Sequence, residues 1–541
     1  MKSLRAHALD AATTLRVLGG AGVIRPYGPR TLVSLGRTLV RWGTGPAGGF
    51  ASLAVRDPDR VGLVDELGEL TFGELHRRSN ALARGLAGLG VREGDSVAVM
   101  CRNHRGFVDA SVATAKLGAD LLYLNTAFAG PQLVDVLERE QPAVVVHDEE
   151  FTDLLAAAHV EQRLVAWADS DRGDTIEALI GSHDDAELDA PQRHARIVIL
   201  TSGTTGTPKG APRNEAGIDA AVSMLSRLPL RHGWRTHIAA PLFHTWGFAH
   251  LALAMLLGST VVLQRRFDPE NALRTVEEHR CQSLVVIPVM LQRILALDEE
   301  VLARWSLPSL EVVAASGSAL PGTLATSWMD HFGDNLYNIY GSTEVAYASI
   351  ATPQDLREAP SSAGRPPYGT VVRIFDDEGR EVPTGRTGRI FVGNSLLFEG
   401  YTGGGTKDMI DGLMATGDVG RFDDAGRLYV EGRDDEMIVS GGENVFPKEV
   451  EDCLVGHEAV AEAAAVGVDD PDYGTRLRAF VARRADVTED ELKEHVKTNL
   501  ARYKVPREIV FLDELPRNAT GKVLKRDLAH WDDGAGEDGH A

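Results

Sequence analysis

One stretch decides the fold class of this chain: Thr201-Ser202-Gly203-Thr204-Thr205-Gly206-Thr207-Pro208-Lys209-Gly210. It directly follows the apolar run 197–200, which predicts a buried strand. Glycines let backbone N–H groups approach an anion, the Thr and Ser hydroxyls add donors, and Lys209 adds positive charge. A flexible surface loop does not need so many hydroxyls immediately after a strand. The stretch therefore predicts a phosphate-binding loop.

The spacing of this loop differs from the common P-loop of nucleoside triphosphatases. That pattern places Gly immediately before its Lys and Ser or Thr immediately after it. Here Pro208 precedes Lys209, and Gly210 follows it. The sequence therefore indicates a phosphate-binding loop of a different kind.

Helix and strand patterns alternate along the chain from about residue 60. Thr71 and Glu74 have capping-box spacing and predict a helix that Gly90 can end. Short apolar runs between helical patterns indicate largely parallel, buried sheets. These runs are residues 97–100, 121–124, 143–146, 197–200, 284–287 and 312–315. The acid- and Ala-rich residues 148–190 are expected to form helices and loops that join two such units.

The C-terminal part of the chain has a different character. From about residue 370 the strands become shorter and are broken by Gly and Asp turns. A compact α+β stretch follows Arg433, with a helix that Thr488 and Glu491 are expected to cap. Residues 532–541 are polar, acidic and Gly-rich, which is typical of disorder.

Length and charge limit the classes of protein that the chain can represent. Its 541 residues exceed one hydrophobic core, so two or more domains are expected. A net charge of −22 argues against a nucleic-acid partner, because phosphate backbones need a basic surface. The 3 cysteines form neither a disulfide framework nor a CxxC pattern, which favours a reducing, cytoplasmic setting.

The first 50 residues are basic and amphipathic, unlike the remainder. Their only acid is Asp10, whereas Lys2, Arg5, Arg16, Arg25, Arg30, Arg37 and Arg41 are basic. No apolar run reaches the ~20 residues that a spanning helix needs. Two interpretations stay open, a helix that packs on its own domain and peripheral contact with the inner face of a membrane.

The loop at 201–210 and further motifs in the same order resemble the adenylate-forming superfamily of acyl-CoA synthetases, firefly luciferase and peptide synthetase adenylation domains. The further motifs span residues 241–247, 316–320, 340–344, 416–418, 432–435, 440–444 and 515–522. The resemblance implies an α/β fold: a large N-terminal domain of two αβαβα-type subdomains plus a small β-barrel, and a small mobile α+β C-terminal domain. The implied divisions are a basic extension 1–50, an N-terminal domain 51–433, a C-terminal domain 434–530 and an acidic tail 531–541.

The resemblance also implies roles for nucleotide-binding residues. Phosphate contacts fall on Thr201, Ser202, Gly203, Thr204, Thr205, Gly206, Lys209 and Thr343. Ser316, Gly317, Tyr340 and Gly341 would surround adenine, although Ser318 stands where the family more often has Gly. Asp418 would accept hydrogen bonds from both ribose hydroxyls, and Arg433 would contact ribose or phosphate. Glu344, with Thr201, would bind Mg²⁺, which prefers hard carboxylate oxygens.

Three further positions carry the chemistry of the two implied steps. Lys522 matches the mobile catalytic lysine of the family. His244 would form a wall or gate of the acyl pocket. Gly441 and Gly442 would let the pantetheine arm of CoA pass close to the backbone. The implied rotation between steps hinges at Asp435.

These motifs, through the resemblance, imply an ATP-dependent ligase that uses Mg²⁺ and coenzyme A to convert a carboxylic acid into its thioester. A fatty acid is the first expectation, and an aryl or other acid is the alternative. An acyl-AMP ligase that loads a separate carrier protein, and an inactive sensor of nucleotide or acyl-CoA, also stay open. A homodimer is possible. Residues 401–406 are shorter and richer in glycine than the family's usual stretch.

Overall fold

The structure is a computed structural model of the chain. It describes residues 4–202, 208–213, 217–318, 320, 322–376, 378–398, 400, 406–433, 438–440, 443–445, 447–470, 474–516, 523, 525–529 and 531. Only the backbone is described at residues 4–9, 201–202, 208–213, 323, 431–433, 439–440, 444, 448–449, 452 and 526–527.

Helices and strands alternate through most of the described chain. The helices are α1 Leu4–Gly20, α2 Pro29–Trp42, α3 Pro46–Arg56, α4 Phe72–Gly88, α5 Arg105–Lys116, α6 Gly130–Glu140, α7 Ile176–Ser182, α8 Ile218–Leu225, α9 Thr245–Leu257, α10 Pro269–Glu278, α11 Pro288–Leu295, α12 Glu299–Leu302, α13 Gly322–Phe332, α14 Pro353–Glu358, α15 Pro447–Val455, α16 Glu489–Asn499 and α17 Lys525–Ala529. The first strands are β1 Val61–Asp65, β2 Gly68–Thr71, β3 Ser96–Met100, β4 Asp120–Tyr123, β5 Val144–Asp148, β6 Gln162–Trp167, β7 Ile197–Ser202, β8 Pro208–Arg213, β9 Arg235–Ile238, β10 Thr260–Val262, β11 Ser283–Val286, β12 Val312–Ala315, β13 Leu336–Tyr340 and β14 Ser349–Ala351. The later strands are β15 Val371–Phe375, β16 Gly388–Gly393, β17 Met409–Ile410, β18 Leu413–Phe422, β19 Leu428–Arg433, β20 Ile438–Ser440, β21 Glu443–Val445, β22 Val460–Asp470, β23 Gly474–Arg483 and β24 Glu508–Leu512.

Two largely parallel sheets form the centre of the large N-terminal domain. The six-stranded sheet has the order β6-β5-β3-β4-β7-β8, and the eight-stranded sheet has the order β14-β13-β12-β11-β9-β10-β1-β2. Antiparallel strands stand at the edges, β8 in the first sheet and β14 and β2 in the second. Most inner strands are largely apolar because helices cover both faces of a parallel sheet, although β9 carries Thr236 and His237. The expected α/β class is therefore confirmed.

Local sequence signals place several elements where they were expected. The Thr71 hydroxyl accepts from the Glu74 backbone N–H, and Glu74 returns a hydrogen bond to the Thr71 backbone, so the capping box starts α4. Gly90, at φ +103°, follows the end of that helix. Thr488 and Glu491 form the same capping box at the start of α16.

The structure corrects the expectation that residues 148–190 hold only helices and loops. Strand β6 lies within them and pairs in parallel with β5. Leu164, Val165 and Ala166 of β6 are buried. The acidic and Ala-rich surroundings hid this short run, whose strand conformation depends on pairing with a distant neighbour rather than on local propensity.

A second difference concerns the end of the phosphate-loop motif. Strand β8 starts at Pro208 and pairs antiparallel with β7. Lys209 and Gly210 therefore belong to a strand rather than to a loop. Edge strands tolerate a proline, which agrees with the position of β8 in the sheet.

The later strands form smaller sheets. Where the resemblance implied a small β-barrel, the structure has a five-stranded antiparallel sheet formed by β15 to β19. In the small C-terminal domain, β22-β23-β24 form a three-stranded sheet. Its core joins Val450 and Leu454 of α15 with Ala479 of β23 and Val496 of α16.

The basic N-terminal segment packs only in part. Leu18 of α1 shares a core cluster with Leu225 of α8, and the Tyr368 hydroxyl donates to Asp10 at 2.6 Å. On α2, Trp42 is buried, but the exposed apolar residues are Leu32, Val33, Leu39 and Val40. Among the described helices, none is both long enough and apolar enough to cross a membrane.

Candidate functional site

The candidate site lies where neighbouring parallel strands end. Residues 241–244 follow β9, Ile287 follows β11, Ser316 follows β12, and Tyr340 is the last residue of β13. The carboxyl ends of parallel strands share one edge of the sheet, which is the usual place for a ligand in an open α/β fold. Motifs that are far apart in sequence are brought together at this edge.

A cavity of about 1290 Å³ opens at this edge. Its walls include the predicted site residues His244, Ser316, Gly317, Tyr340, Gly341, Thr343 and Asp418. Small-molecule pockets commonly have volumes of about 300–1,000 Å³. The cavity is therefore large enough to hold a nucleotide together with a second substrate.

Asp418 presents a buried carboxylate to the cavity. The Tyr340 hydroxyl donates to Asp418 Oδ2 at 2.5 Å, and the Asp418 backbone N–H donates to Thr416 Oγ1 at 3.0 Å. These contacts fix the side chain of Asp418 and the ring of Tyr340 relative to each other. The arrangement suits a ribose whose hydroxyls donate to the carboxylate beside an aromatic ring.

Two glycines bring the backbone close to the cavity. Gly317 has φ +101°, a conformation that side chains disfavour, directly after β12. A Cβ on Gly341 would stand 2.2 Å from the carbonyl oxygen of Ala346. Glycine is therefore required at residue 341 for the turn that follows Tyr340.

Glu344 is held by its own turn. Ser342 Oγ donates to Glu344 Oε2 at 2.9 Å, and the Phe398 backbone N–H donates to the Glu344 carbonyl at 2.9 Å. Thr343, its neighbour, lines the cavity. The half-buried carboxylate of Glu344, next in sequence to the cavity-lining Thr343, is a hard oxygen ligand of the kind that Mg²⁺ prefers.

His244 links the two domains at the edge of the cavity. It precedes α9, and its Nε2 lies 2.7 Å from Glu443 Oε1 of the C-terminal domain. Burial opposes protonation, but the Glu443 carboxylate and its hydrogen bond outweigh burial and raise the pKa of His244 above 6.5. The contact is therefore a charge-assisted hydrogen bond over a wider pH range than for an isolated histidine.

A second polar cluster lies outside this site and has a structural role. The potential ligand atoms of Cys101, His104 and Asp148 lie within 4.8 Å of one another and are buried. His104 Nδ1 accepts from the Gly106 backbone N–H at 3.0 Å, so Nε2 carries the proton and donates to Asp148 at 2.7 Å. This arrangement caps α5 and occupies both ring nitrogens.

Several predicted site residues lie outside the described side chains. Gly203, Thr204, Thr205, Gly206, Asp435, Gly441, Gly442 and Lys522 are outside the described residues. Thr201 and Ser202 of β7, Lys209 of β8 and Arg433 of β19 are described by backbone only. The roles of all these residues stay predictions.

Sequence reasoning missed two parts of the site. One is the pairing of Glu443 with His244, which are 199 residues apart. The other is the contribution of the N-terminal segment, since Leu35 and Leu39 of α2 and Ser52 and Arg56 of α3 line the cavity. No spacing in the chain signals either, because both depend on packing of distant elements.

Comparison with known proteins identifies the class to which this fold and site belong. Residues 50–402 match the family model of the AMP-binding enzyme, and residues 449–522 match that of the AMP-binding enzyme C-terminal domain. The chain therefore belongs to the AMP-binding enzyme family.

Curated relatives cover most of the chain. It is 34% identical to a feruloyl-CoA synthase from Amycolatopsis sp over 85% of this chain and 93% of the relative. It is 33% identical to the 2-succinylbenzoate–CoA ligase of Bacillus licheniformis over 87% of this chain and 97% of the relative. With its family membership, these similarities show an AMP-forming acid–thiol ligase, an acyl- or aryl-CoA ligase that uses ATP, Mg²⁺ and CoA.

The chain is also similar to solved structures, with different TM-scores. A double mutant of the o-succinylbenzoate CoA synthetase from Bacillus subtilis, bound with its product analogue, is 30% identical and gives a TM-score of 0.79 over 89% of this chain and 98% of that chain. The same synthetase in complex with its acyl-adenylate intermediate is 29% identical over 89% and 97%, with a TM-score of 0.65. A fatty acyl CoA synthetase of Mycobacterium tuberculosis is 26% identical over 91% and 98%, with a TM-score of 0.65.

Proposed function

We propose that this ligase activates a medium- or long-chain fatty acid and transfers the acyl group to coenzyme A. The observation that carries the proposal is the extension of the cavity beyond His244. Apolar side chains from three helices line this extension: Ala220 and Met224 of α8, Phe248, Ala252, Met255 and Leu256 of α9, and Pro46 of α3. A chain of methylene groups gains by leaving water for such a surface, at about 0.8 kcal/mol per CH₂.

An acid that contains an aromatic ring is the second candidate. It is favoured by the names of the relatives, which include feruloyl and succinylbenzoate ligases. A ring is short and rigid, however, and would leave the part of the cavity against α2 and α3 empty. The reach of the cavity to Leu35 and Leu39 therefore supports the aliphatic acid over the aromatic one.

The first chemical step would make the carboxylate reactive. A carboxylate is a poor electrophile because its leaving group would be oxide. Attack of its oxygen on the α-phosphorus of ATP forms the acyl-adenylate and releases pyrophosphate. Lys522 would stabilise the developing negative charge, and Asp418 would hold the ribose. Mg²⁺ held by Glu344 would neutralise phosphate charge.

The second step would transfer the acyl group. The thiolate of CoA attacks the acyl carbonyl, the new C–S bond forms, and AMP leaves with the electrons of the broken C–O bond. The contact between His244 and Glu443 brings Glu443 of the C-terminal domain to the edge of the cavity. The higher TM-score with the relative bound to a product analogue supports assignment of this arrangement to the transfer step.

A series of acids tests the substrate class. Purified enzyme would be incubated with ATP, Mg²⁺, CoA and, in turn, butyrate, octanoate, dodecanoate, hexadecanoate, ferulate and phenylacetate, while CoA consumption is followed. We expect kcat/KM to rise with chain length up to dodecanoate or beyond. Higher kcat/KM for both aromatic acids than for every aliphatic acid would refute the fatty-acid proposal.

The same assay separates the ligase from its alternatives. Pyrophosphate release that requires both acid and ATP distinguishes an enzyme from a nucleotide sensor. Thioester formation on free CoA distinguishes a CoA ligase from an enzyme that loads a carrier protein. Adenylate formation with no turnover of CoA, but transfer to a phosphopantetheinylated carrier, would favour the carrier alternative.

The proposed function includes peripheral contact of α2 with an anionic membrane surface. Val33 and Val40 are 55% and 86% exposed, and Arg30 and Arg37 each lie three residues before one of them, as its neighbour on the helix surface. Basic side chains near anionic lipid contribute about 1 kcal/mol each, and exposed apolar residues can enter the interface. A fatty acid that partitions into membranes would then be close to the cavity, which Leu39 of the same helix lines.

Vesicle sedimentation tests this contact. The enzyme should co-sediment with phosphatidylserine-containing vesicles and much less with pure phosphatidylcholine. The variant Val33→Ser/Val40→Ser should reduce binding without lowering activity on a soluble acid. If the wild type and the double variant co-sediment to the same extent, and do so with both kinds of vesicle, membrane contact through α2 is contradicted.

A further inference from the structure

Arg56 lies in the wall of the cavity. It is the last residue of α3, and its Nε and Nη2 are buried without an acceptor among the described residues. Ser52, one helical turn earlier, also lines the cavity, and its buried Oγ has no partner in the same part of the chain. Buried N–H groups of a guanidinium without acceptors are costly. Two such neighbours indicate a missing acceptor.

The surroundings of Arg56 are positively charged. Burial lowers the pKa of the nearby Arg60, Asp57 opposes this, and the charges of Arg25, Arg235 and Arg56 lower it further. Asp57 is already within 3.4 Å of Arg25. Positive charge therefore exceeds negative charge here, and an anion would be attracted.

Arg56 lies at the opposite end of α9 from the reacting centre. His244 precedes this helix, and Gly258 ends it. A Cβ placed on Gly258 would lie 3.1 Å from Arg56 Nη2. Thirteen helical residues span roughly 20 Å, and cavity-lining residues recur along α9, as at Phe248 and Leu256. A chain whose carboxylate reacts near His244 can therefore extend towards Arg56.

From these observations, we infer that Arg56 and Ser52 bind a polar group at the far end of the acyl substrate, and that among acids long enough to fill the cavity the enzyme prefers those with a second, terminal carboxylate, the α,ω-dicarboxylic acids. A planar guanidinium matches a carboxylate through two parallel hydrogen bonds, and the Ser52 hydroxyl can donate a third. A methyl terminus would leave these donors unsatisfied. The inference rests on the proposed function in one respect, that the acid occupies this cavity.

Matched pairs of acids test the inference. One pair is hexadecanoate and hexadecanedioate, and a second is a phenylalkanoate and its para-carboxylated analogue. For each pair, kcat/KM is measured from CoA consumption with the wild type, Arg56→Met, Arg56→Lys and Ser52→Ala. Arg60→Met is the control, because Arg60 belongs to the same charged cluster but donates to the Gly233 carbonyl and does not line the cavity.

The wild type should favour the acid with the terminal carboxylate by about 10- to 100-fold in at least one pair, the range for a hydrogen-bonded charge. Arg56→Met should remove the preference for the dicarboxylic acid and should maintain or improve turnover of the monocarboxylic acid. Ser52→Ala should reduce the preference by a smaller factor than Arg56→Met. Arg60→Met should leave the ratio unchanged. Arg56→Lys keeps the charge but cannot form two parallel hydrogen bonds with a carboxylate, so it should give an intermediate ratio. It replaces Arg56→Met in the test if that variant does not fold.

The inference is overturned if the wild type favours neither dicarboxylic acid, or if the Arg56 variants leave the ratio as it is. This outcome is distinct from failure of the proposed function. If neither aliphatic acid is consumed but the aromatic pair is, the fatty-acid proposal fails and the aromatic pair decides the role of Arg56.

Discussion

The contact between His244 and Glu443 predicts that one half-reaction can be slowed without the other. It joins His244, the residue before α9 of the large domain, to Glu443 of β21 in the small domain, with His244 Nε2 and Glu443 Oε1 2.7 Å apart. Substitution Glu443→Gln keeps the size and an acceptor oxygen but removes the charge. The arrangement of domains seen here should lose stability, whereas an arrangement without this contact should not.

The expected size follows from the exposure of the pair. The side chains of His244 and Glu443 are 30% and 21% exposed. A hydrogen bond to a charged group contributes about 1.5–3 kcal/mol when buried, and an exposed ion pair about 0–1 kcal/mol. We therefore expect about 1 kcal/mol, which corresponds to roughly fivefold in the equilibrium constant between this arrangement and one without the contact.

Two assays separate the half-reactions. Pyrophosphate release without CoA reports adenylation, and single-turnover transfer from supplied acyl-AMP to CoA reports thioester formation. Glu443→Gln should slow the transfer by up to roughly fivefold and leave adenylation within experimental error. The control is Glu494→Gln, which removes a carboxylate from an exposed pair with Lys497 in the same domain. Equal slowing of both half-reactions, or of neither, would refute the reasoning.

The pH dependence gives a second check on the same pair. Because the pKa of His244 is raised above 6.5, the charged contact is fully present below that value and is lost as pH rises through the raised pKa. The transfer rate of the wild type relative to Glu443→Gln should therefore be highest in acid and fall as pH rises. A ratio that does not change with pH would contradict a protonated His244 in this contact.

Three other substitutions have defined outcomes. Lys522→Ala should abolish adenylation and leave transfer from supplied acyl-AMP largely intact, and equal loss in both would contradict its assigned role. Asp418→Asn should lower kcat/KM for ATP by about 10- to 100-fold through loss of a charged acceptor, whereas Asp408→Asn, at an exposed pair with Arg389, should not. Lys116, whose pKa burial lowers to about 7, binds fewer protons folded than unfolded between about pH 7 and 10.5, so the free energy of unfolding should rise with pH there. Urea titrations should show this rise, up to about 5 kcal/mol, in the wild type and not in Lys116→Met.

Much of the fold could be predicted because its signals are local. The capping boxes at Thr71 and Thr488 and the apolar runs of the inner strands depend on neighbours in sequence. Strand β6 could not be predicted in this way, since its conformation depends on pairing with β5. The limit is physical: a hydrogen-bonded ladder stabilises a short strand that has little preference of its own.

The same distinction between local signals and contacts of distant elements applies to the candidate site. The amino-acid sequence by itself indicated the family, since the motif 201–210, Glu344 and Asp418 lie in the family's order along the chain. Only the tertiary structure decided which groups share the cavity. It brought Glu443 to His244 across 199 residues and placed Arg56, from a helix next to the basic N-terminal segment, at the far end of α9. Binding motifs are read from adjacent residues, whereas the shape and charge of a cavity arise from elements that meet only when the chain folds.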